Sequence, residues 1–123
     1  SGAIALKALE KRNATLGNES EYLNMLCNMN VGDNVSVSGN MSEANFFNYI
    51  ADYCQMEMMV VKRNMTLGNV STTIEEKLKN PPAPNASHMT KVSFIRGIEA
   101  ECAKDMAKVG MGKAKSWFNE KTK

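Results

Sequence analysis

The sequence contains few of the residues from which catalytic and metal sites are built. It has a single histidine, His88, among 123 residues, and its cysteines form no Cys-x-x-Cys pair. Zinc sites and nucleophile–histidine catalysis need such side chains at close and regular spacing. Adjacent carboxylates such as Glu75 and Glu76 do not share a helix face. We therefore predict that the chain is not an enzyme and that it holds no metal or other cofactor.

Long hydrophobic runs and a strong net charge are also missing. No apolar run approaches the roughly 18 residues that a membrane-spanning helix needs, so we expect no membrane span. The net charge is only +2, although it is unevenly distributed, with −4 over residues 1–60 and +4 over residues 88–123. A basic end can contact nucleic acid, but a solvated helix face produces the same gradient more often.

Cysteine is scarce, and its placement favours a reducing compartment. The three cysteines, Cys27, Cys54 and Cys102, lie far apart among apolar residues at helical spacing. Buried free thiols fit this pattern and favour a cytoplasmic location. One disulfide with a leftover thiol remains an alternative at this stage.

Apolar residues are abundant, and methionine is unusually frequent among them. Hydrophobic residues make up 43% of the chain, which includes ten methionines and one tryptophan. This composition is typical of one globular domain over residues 1–123. Methionine fills irregular helical cores and makes adaptable contacts, so we expect packed helices with an apolar, Met-rich helical face.

The most informative feature is a repeated segment. Residues 11–20 return as residues 62–71 with eight of ten positions identical, at an offset of 51 residues. Such a match predicts an internal duplication, with pseudo-repeats over 3–29 and 46–79. In each copy Lys-Arg ends a helix, Leu-Gly-Asn stops it and Ser is the N-cap of the next helix. Capping boxes are expected from Asn18 to Glu21 and from Thr72 or Thr73 onward.

The remaining segments complete a helical architecture. A long helix is expected from about residue 42, with an apolar stripe formed by Phe47, Ile50, Cys54, Met58 and Val61. A Pro-rich connector covers residues 80–86, and a C-terminal helix is predicted over residues 87–121. The fold class is therefore all-α, a small bundle of about five helices built on a duplicated helix–corner–helix unit. A β-hairpin between Met58 and Ile74 is the alternative.

Two sets of residues are candidate sites. The C-terminal segment combines positive charge with aromatic rings, which together can bind phosphates and stack on bases. Its members are Lys113, Lys115, Trp117, Phe118 and Lys121. The second set consists of seven Asn-x-Ser/Thr sequons, which are candidate N-glycosylation sites or by-products of helix capping and turns. They begin at Asn13, Asn18, Asn34, Asn40, Asn64, Asn69 and Asn85.

Taken together, these patterns favour a non-enzymatic interaction or adaptor protein. It would present a helical face to a protein partner or to a second copy of itself. The alternatives are a nucleic-acid-associated protein that uses the basic C-terminal segment, and a secreted, glycosylated helical effector.

Overall fold

The protein is all-α in the residues that its computed structural model describes, which are 2–28 and 42–109. These ranges contain no strand, and the prediction of a small all-α bundle is confirmed. The hairpin alternative is wrong, because residues 58–67 form the last part of a long helix. The five helices are α1 (Gly2–Leu16), α2 (Glu21–Asn28), α3 (Glu43–Leu67), α4 (Thr72–Leu78) and α5 (His88–Ala107).

The helix α3 lies in the middle, and α1 packs along one of its sides. Gly2 lies against the ring of Phe47, since a Cβ added at Gly2 would be 3.5 Å from that ring. Ten residues later along both helices, Arg12 binds Glu57. Because both helices advance in the same sense between these contacts, α1 and α3 run parallel.

The helix α5 packs on another side of α3, also in the parallel sense. Near its start, the Lys91 ammonium lies 5.7 Å from the centre of the Phe46 ring. Near its end, Asp105 binds Arg63. The short helices α2 and α4 connect the long ones, and α2 packs on α3 while α4 packs on α5.

The core lies between the three long helices; of the apolar stripe predicted for α3, Ile50 and Cys54 are fully buried, whereas Phe47, Met58 and Val61 are half-buried. Phe46, Tyr49 and Tyr53 are buried as well. Since α3 has neighbours on more than one side, its buried residues extend beyond a single helical stripe. The buried apolar residues are Ala5, Leu9, Leu23, Leu26, Phe46, Tyr49, Ile50, Ala51, Tyr53, Cys54, Met56, Val60, Ile74, Ile95, Ile98 and Cys102.

Serine caps the short helices, as the repeated motif predicts, and the capping boxes expected at neighbouring residues do not supply the cap. The Ser20 hydroxyl accepts the Leu23 amide at 3.1 Å, and the Ser71 hydroxyl accepts the Ile74 amide at 3.2 Å. The capping role expected of Asn18, and of Thr72 or Thr73, therefore belongs to these serines. All these residues are short polar side chains within two positions of one another, so the sequence alone did not separate them.

The Pro-rich connector between α4 and α5 is hydrogen-bonded to side chains of the bundle. The Tyr22 hydroxyl donates to the Pro82 carbonyl at 2.7 Å, and Lys91 Nζ donates to the Pro84 carbonyl at 2.6 Å. Lys91 is fully buried, and its ammonium also lies 5.5 Å from the centre of the Tyr49 ring. The C-terminal helix starts at His88, as α5; the part of the predicted 87–121 helix beyond residue 109 lies outside the described residues.

The three thiols are free. Cys54 and Cys102 are buried, and Cys27 is half-buried. Burial raises the pKa of Cys54 to about 12 and that of Cys102 to about 11, so neither is a nucleophilic thiolate near neutral pH. Among the described residues, no helix is both long and apolar enough to cross a membrane.

Candidate functional site

The first repeated corner is organised by a buried arginine. Arg12 is 4% exposed, and its Nε and Nη2 atoms donate to the two carboxylate oxygens of Glu57 on α3, each at 3.0 Å. Its Nη1 atom donates to the Asn18 backbone carbonyl at 2.7 Å and to Asn13 Oδ1 at 2.8 Å. One guanidinium thus joins the end of α1, the turn after it and the neighbouring long helix.

The second corner contains an arginine with corresponding contacts. Arg63 is 7% exposed, and its Nε atom donates to Asp105 Oδ2 on α5 at 2.9 Å. Its Nη1 atom donates to the Asn69 carbonyl at 2.7 Å and to Asn64 Oδ1 at 2.9 Å. Asn69 also accepts from Nη1 through its side chain, at 3.0 Å.

A left-handed glycine follows each arginine and turns the chain. Gly17 has a φ of 78° and Gly68 a φ of 76°. The Gly17 amide donates to the Asn13 carbonyl, and the Gly68 amide donates to the Asn64 carbonyl, both at 2.8 Å. These bonds close the last turns of α1 and α3, where glycine takes a backbone conformation that is costly for other residues.

The two arginines are buried, whereas Lys-Arg near a helix end predicts only an exposed charge that complements the helix dipole. The spacing does indicate burial, because Arg12 follows Leu9 at i+3 and lies on the same helix face as Ala5. The acidic partners, Glu57 and Asp105, each follow a buried cysteine at i+3.

The side of α3 that its neighbours leave uncovered is a second candidate site. Five exposed residues follow one another on it at steps of three and four, so they form one stripe along the helix. We call this stripe the open face; its members are Asn45, Asn48, Asp52, Gln55 and Met59.

A pocket of about 390 Å³ with a mixed polar and apolar lining lies where the open face meets α5. The helix α3 contributes Asn45, Asn48, Tyr49 and Asp52, and α5 contributes His88, Val92, Ile95, Arg96 and Glu99. Its lining includes no residue of α2 or α4. The pocket is therefore shaped by the seam between the two parallel long helices.

Two carboxylates share this pocket, and both are harder to ionise than usual. Partial burial raises the pKa of Asp52. Burial also raises the pKa of Glu99, the Asp52 charge adds to this effect, and the Arg96 guanidinium opposes it. The pocket thus holds two neighbouring negative charges beside one positive charge.

A second groove lies on the other side of α5, where α4 contributes to its wall. It has a volume of about 490 Å³ and is more open than the first pocket. Its lining combines Glu76 and Lys77 from α4 with Phe94 and Gly97 from α5. The charges here are balanced, with one acid and one base.

The candidate site residues predicted from the sequence fall into different parts of the chain. The basic segment with Lys113, Lys115, Trp117, Phe118 and Lys121 lies outside the described residues, as do the sequons at Asn34 and Asn40. The side chains of Asn13, Asn64 and Asn69 accept hydrogen bonds from the buried arginines, whereas Asn18 and Asn85 are exposed. Use of any sequon as a glycosylation site stays a prediction.

The exposed methionines within residues 2–28 and 42–109 do not gather on one surface. Met25 lies on α2, Met59 and Met65 on α3, and Met89 on α5. Met59 and Met65 are six residues apart, which places them on different faces of the same helix. Of these four, only Met59 belongs to the open face.

Comparisons with known proteins found no match to a family model, a curated protein or a solved structure. Within residues 2–28 and 42–109, no group of three or more His, Cys, Asp or Glu side chains is arranged to hold a metal ion.

Proposed function

We propose that this chain is a non-enzymatic interaction protein built on a duplicated helix–corner–helix unit, and that it binds a protein partner through the open face of α3. The arginine corners hold the helices in register, and the open face with its pocket provides the contact surface. This proposal keeps the interaction function expected from the sequence. It replaces a Met-rich face with a mostly polar one that includes Met59.

The contacts at the two corners support a duplicated unit. Arg12 and Arg63 are 51 residues apart, as are the two glycines and the two capping serines, and each pair makes corresponding hydrogen bonds. The buried face of α1 continues the correspondence. Ala5, Leu9 and Arg12 align with Met56, Val60 and Arg63, and all six are buried.

Residues of α3 also correspond to residues of α5 that lie 48 positions later. The two acids Glu57 and Asp105 are one such pair, and each binds the arginine of the preceding long helix. At the same offset, four pairs of residues in the two helices are identical, which supports a common origin for their packing. They are Phe46 and Phe94, Ile50 and Ile98, Cys54 and Cys102, and Met58 and Met106.

The observation that carries the proposed function is the exposed stripe on the central helix. Although α1, α2 and α5 pack on α3, this helix keeps an uninterrupted row of exposed side chains from Asn45 to Met59, and a pocket adjoins it. An exposed surface that spans several turns beside a concave site is suited to a partner segment.

The test compares two exposed methionines of the same helix. The protein with Met59→Lys should lose the partner captured by the wild-type chain from cells of the source organism, whereas Met65→Lys should retain it. Each variant is first checked for an unchanged helical signal and melting temperature. Light scattering on the same proteins detects the case in which the partner is a second copy.

Equal capture by both variants would contradict a role for the open face. The same conclusion would follow if Met65→Lys caused the loss and Met59→Lys did not, because the binding surface would then lie on another side of α3.

A further inference from the structure

We propose that the pocket between α3 and α5 receives the cationic side chain of a lysine or arginine in an extended segment of the protein partner. This inference rests on the proposed function, because it assigns a chemistry to the occupant of the open face. It concerns the polar and charged part of the pocket lining, which consists of Asn45, Asn48, Asp52, His88, Arg96 and Glu99; Tyr49, Val92 and Ile95 form the rest of the lining.

The first argument is charge. Asp52 of α3 and Glu99 of α5 line the pocket from opposite sides of the seam, and the Asp52 charge contributes to the raised pKa of Glu99. Arg96 supplies one positive charge against these two negative charges. A cationic group between the carboxylates would relieve their repulsion, and charged hydrogen bonds in a partly desolvated pocket are stronger than neutral ones.

The second argument is the polar lining on the α3 side. Asn45 and Asn48 are three residues apart on one face, and both line the pocket. Each carboxamide carries a donor and an acceptor, so it can bind a peptide N–H and a peptide C=O. Asp52 follows Asn48 by four residues on the same face, so a long side chain of a peptide bound at these amides is within reach of its carboxylate.

The third argument is the exclusion of other occupants. An anion would meet two carboxylates and one guanidinium, and would therefore be repelled. A metal ion lacks a cluster of three ligating side chains anywhere in the described part of the chain. The volume of about 390 Å³ falls in the lower part of the range that holds small ligands, about 300–1,000 Å³.

The experiment titrates the whole chain with a fluorescent Gly/Ser peptide that contains lysines, read by anisotropy at low salt. The double variant Asp52→Asn with Glu99→Gln preserves side-chain size and removes both charges. We expect it to bind the peptide about tenfold more weakly than the wild type, as expected for the loss of a charged hydrogen bond. Arg96→Gln should bind more tightly, because it removes the competing cation.

The matched control is Glu76→Gln, which neutralises an exposed acid at the other groove and should leave the affinity unchanged. The same peptide with glutamate in place of lysine should not bind. If the double variant binds as tightly as the wild type, or if Glu76→Gln weakens binding equally, the lysine does not enter this pocket and the inference is overturned.

Two further outcomes separate this inference from the proposed function. If spermidine binds as tightly as the lysine peptide and shows the same dependence on Asp52 and Glu99, the pocket selects free polyamines, and the peptide assignment is wrong. If Met59→Lys abolishes partner capture while the double variant leaves it intact, the open face binds the partner but the cationic chemistry is overturned. If neither Met59→Lys nor the double variant loses partner capture, both the proposed function and the cationic occupant are contradicted.

Discussion

The two corners use the same residues but bind their acidic partners differently. At the first corner, both oxygens of Glu57 face two nitrogens of Arg12, in a bidentate pair. At the second, Asp105 engages Nε of Arg63 through one oxygen, and its other oxygen lies 3.8 Å from Lys108 Nζ. Asn69 there provides an additional side-chain acceptor. A buried arginine at the same position of the repeated segment can therefore bind its acidic partner either through two nitrogens, as Arg12 does, or through one, as Arg63 does.

The acid at each corner explains part of this difference. Glutamate has one methylene more than aspartate, so its carboxylate can reach across the guanidinium from the neighbouring helix. The shorter aspartate reaches one nitrogen and leaves an oxygen for the exposed lysine. Since two parallel hydrogen bonds add both energy and geometric constraint, the first corner should be the more rigid of the two.

Removal of the arginines should have the largest effect. We expect Arg12→Met and Arg63→Met each to lower the free energy of unfolding by about 3–5 kcal/mol, because each leaves a carboxylate at low exposure without its ion-pair partner. The loss should be larger for Arg12, whose pair is bidentate. Chemical denaturation measures both values, and exposed Lys11→Met serves as the control. Losses no larger than that of the control would contradict a structural role for the corners.

The corner glycines should show the next largest effect, and here the corners should behave alike. Gly17→Ala and Gly68→Ala should each lower the free energy of unfolding by about 1–2 kcal/mol, because alanine is strained in the left-handed region. An added Cβ meets no atom within 4 Å at either position, so backbone strain is the only cause. Gly97→Ala, in the right-handed α5, should instead stabilise by up to about 1 kcal/mol. Unequal costs at Gly17 and Gly68 would show that the turns differ.

The capping serines should distinguish the two helices that follow the corners. Ser20→Ala and Ser71→Ala should each lower stability by about 1 kcal/mol, the usual cost of a lost cap. The helix α2 buries Leu23 and Leu26, whereas α4 buries only Ile74. Amide hydrogen exchange should therefore reveal local opening of α4 in Ser71→Ala, and less opening of α2 in Ser20→Ala. The reverse order would mean that burial does not set the stability of these helices.

The smallest expected effect concerns two equivalent threonines. Thr15 is exposed, and its hydroxyl donates to the Lys11 carbonyl at 2.8 Å. Thr66, 51 residues later, is buried, and its hydroxyl has no hydrogen-bond partner among the described residues. We expect Thr66→Val to raise stability by about 1 kcal/mol, because an unsatisfied buried hydroxyl is removed, and Thr15→Val to change it little. A destabilising Thr66→Val would indicate that the hydroxyl is satisfied in solution.

The helices and turns could be predicted because their signals are local. Gly17 and Gly68 stop helices through a backbone conformation that needs no distant partner, and prolines mark the connector. The exact cap was harder to predict, because Asn18, Ser20 and Thr72 are all suitable residue types. The predicted apolar stripe of α3 contains the buried Ile50 and Cys54 but omits Phe46, Tyr49 and Tyr53, because this helix packs against several neighbours.

The candidate sites could not be predicted because they depend on distant pairs. Arg12 binds Glu57 across 45 residues, and Arg63 binds Asp105 across 42. A lone Lys-Arg pair at a helix end looks the same whether the arginine is solvated or buried. The pocket likewise requires the relative register of α3 and α5, which no short segment encodes.

The most direct test of the account is a pair of double-mutant cycles, one on Arg12 and Glu57 and one on Arg63 and Asp105. If both corners join parallel helices in the same way, each pair should show a favourable coupling energy of about 1.5–3 kcal/mol, as expected for hydrogen bonds to charged groups. The larger value is expected for the bidentate first pair. Coupling near zero at either corner would contradict this equivalence, because that arginine would then not join its helix to the next.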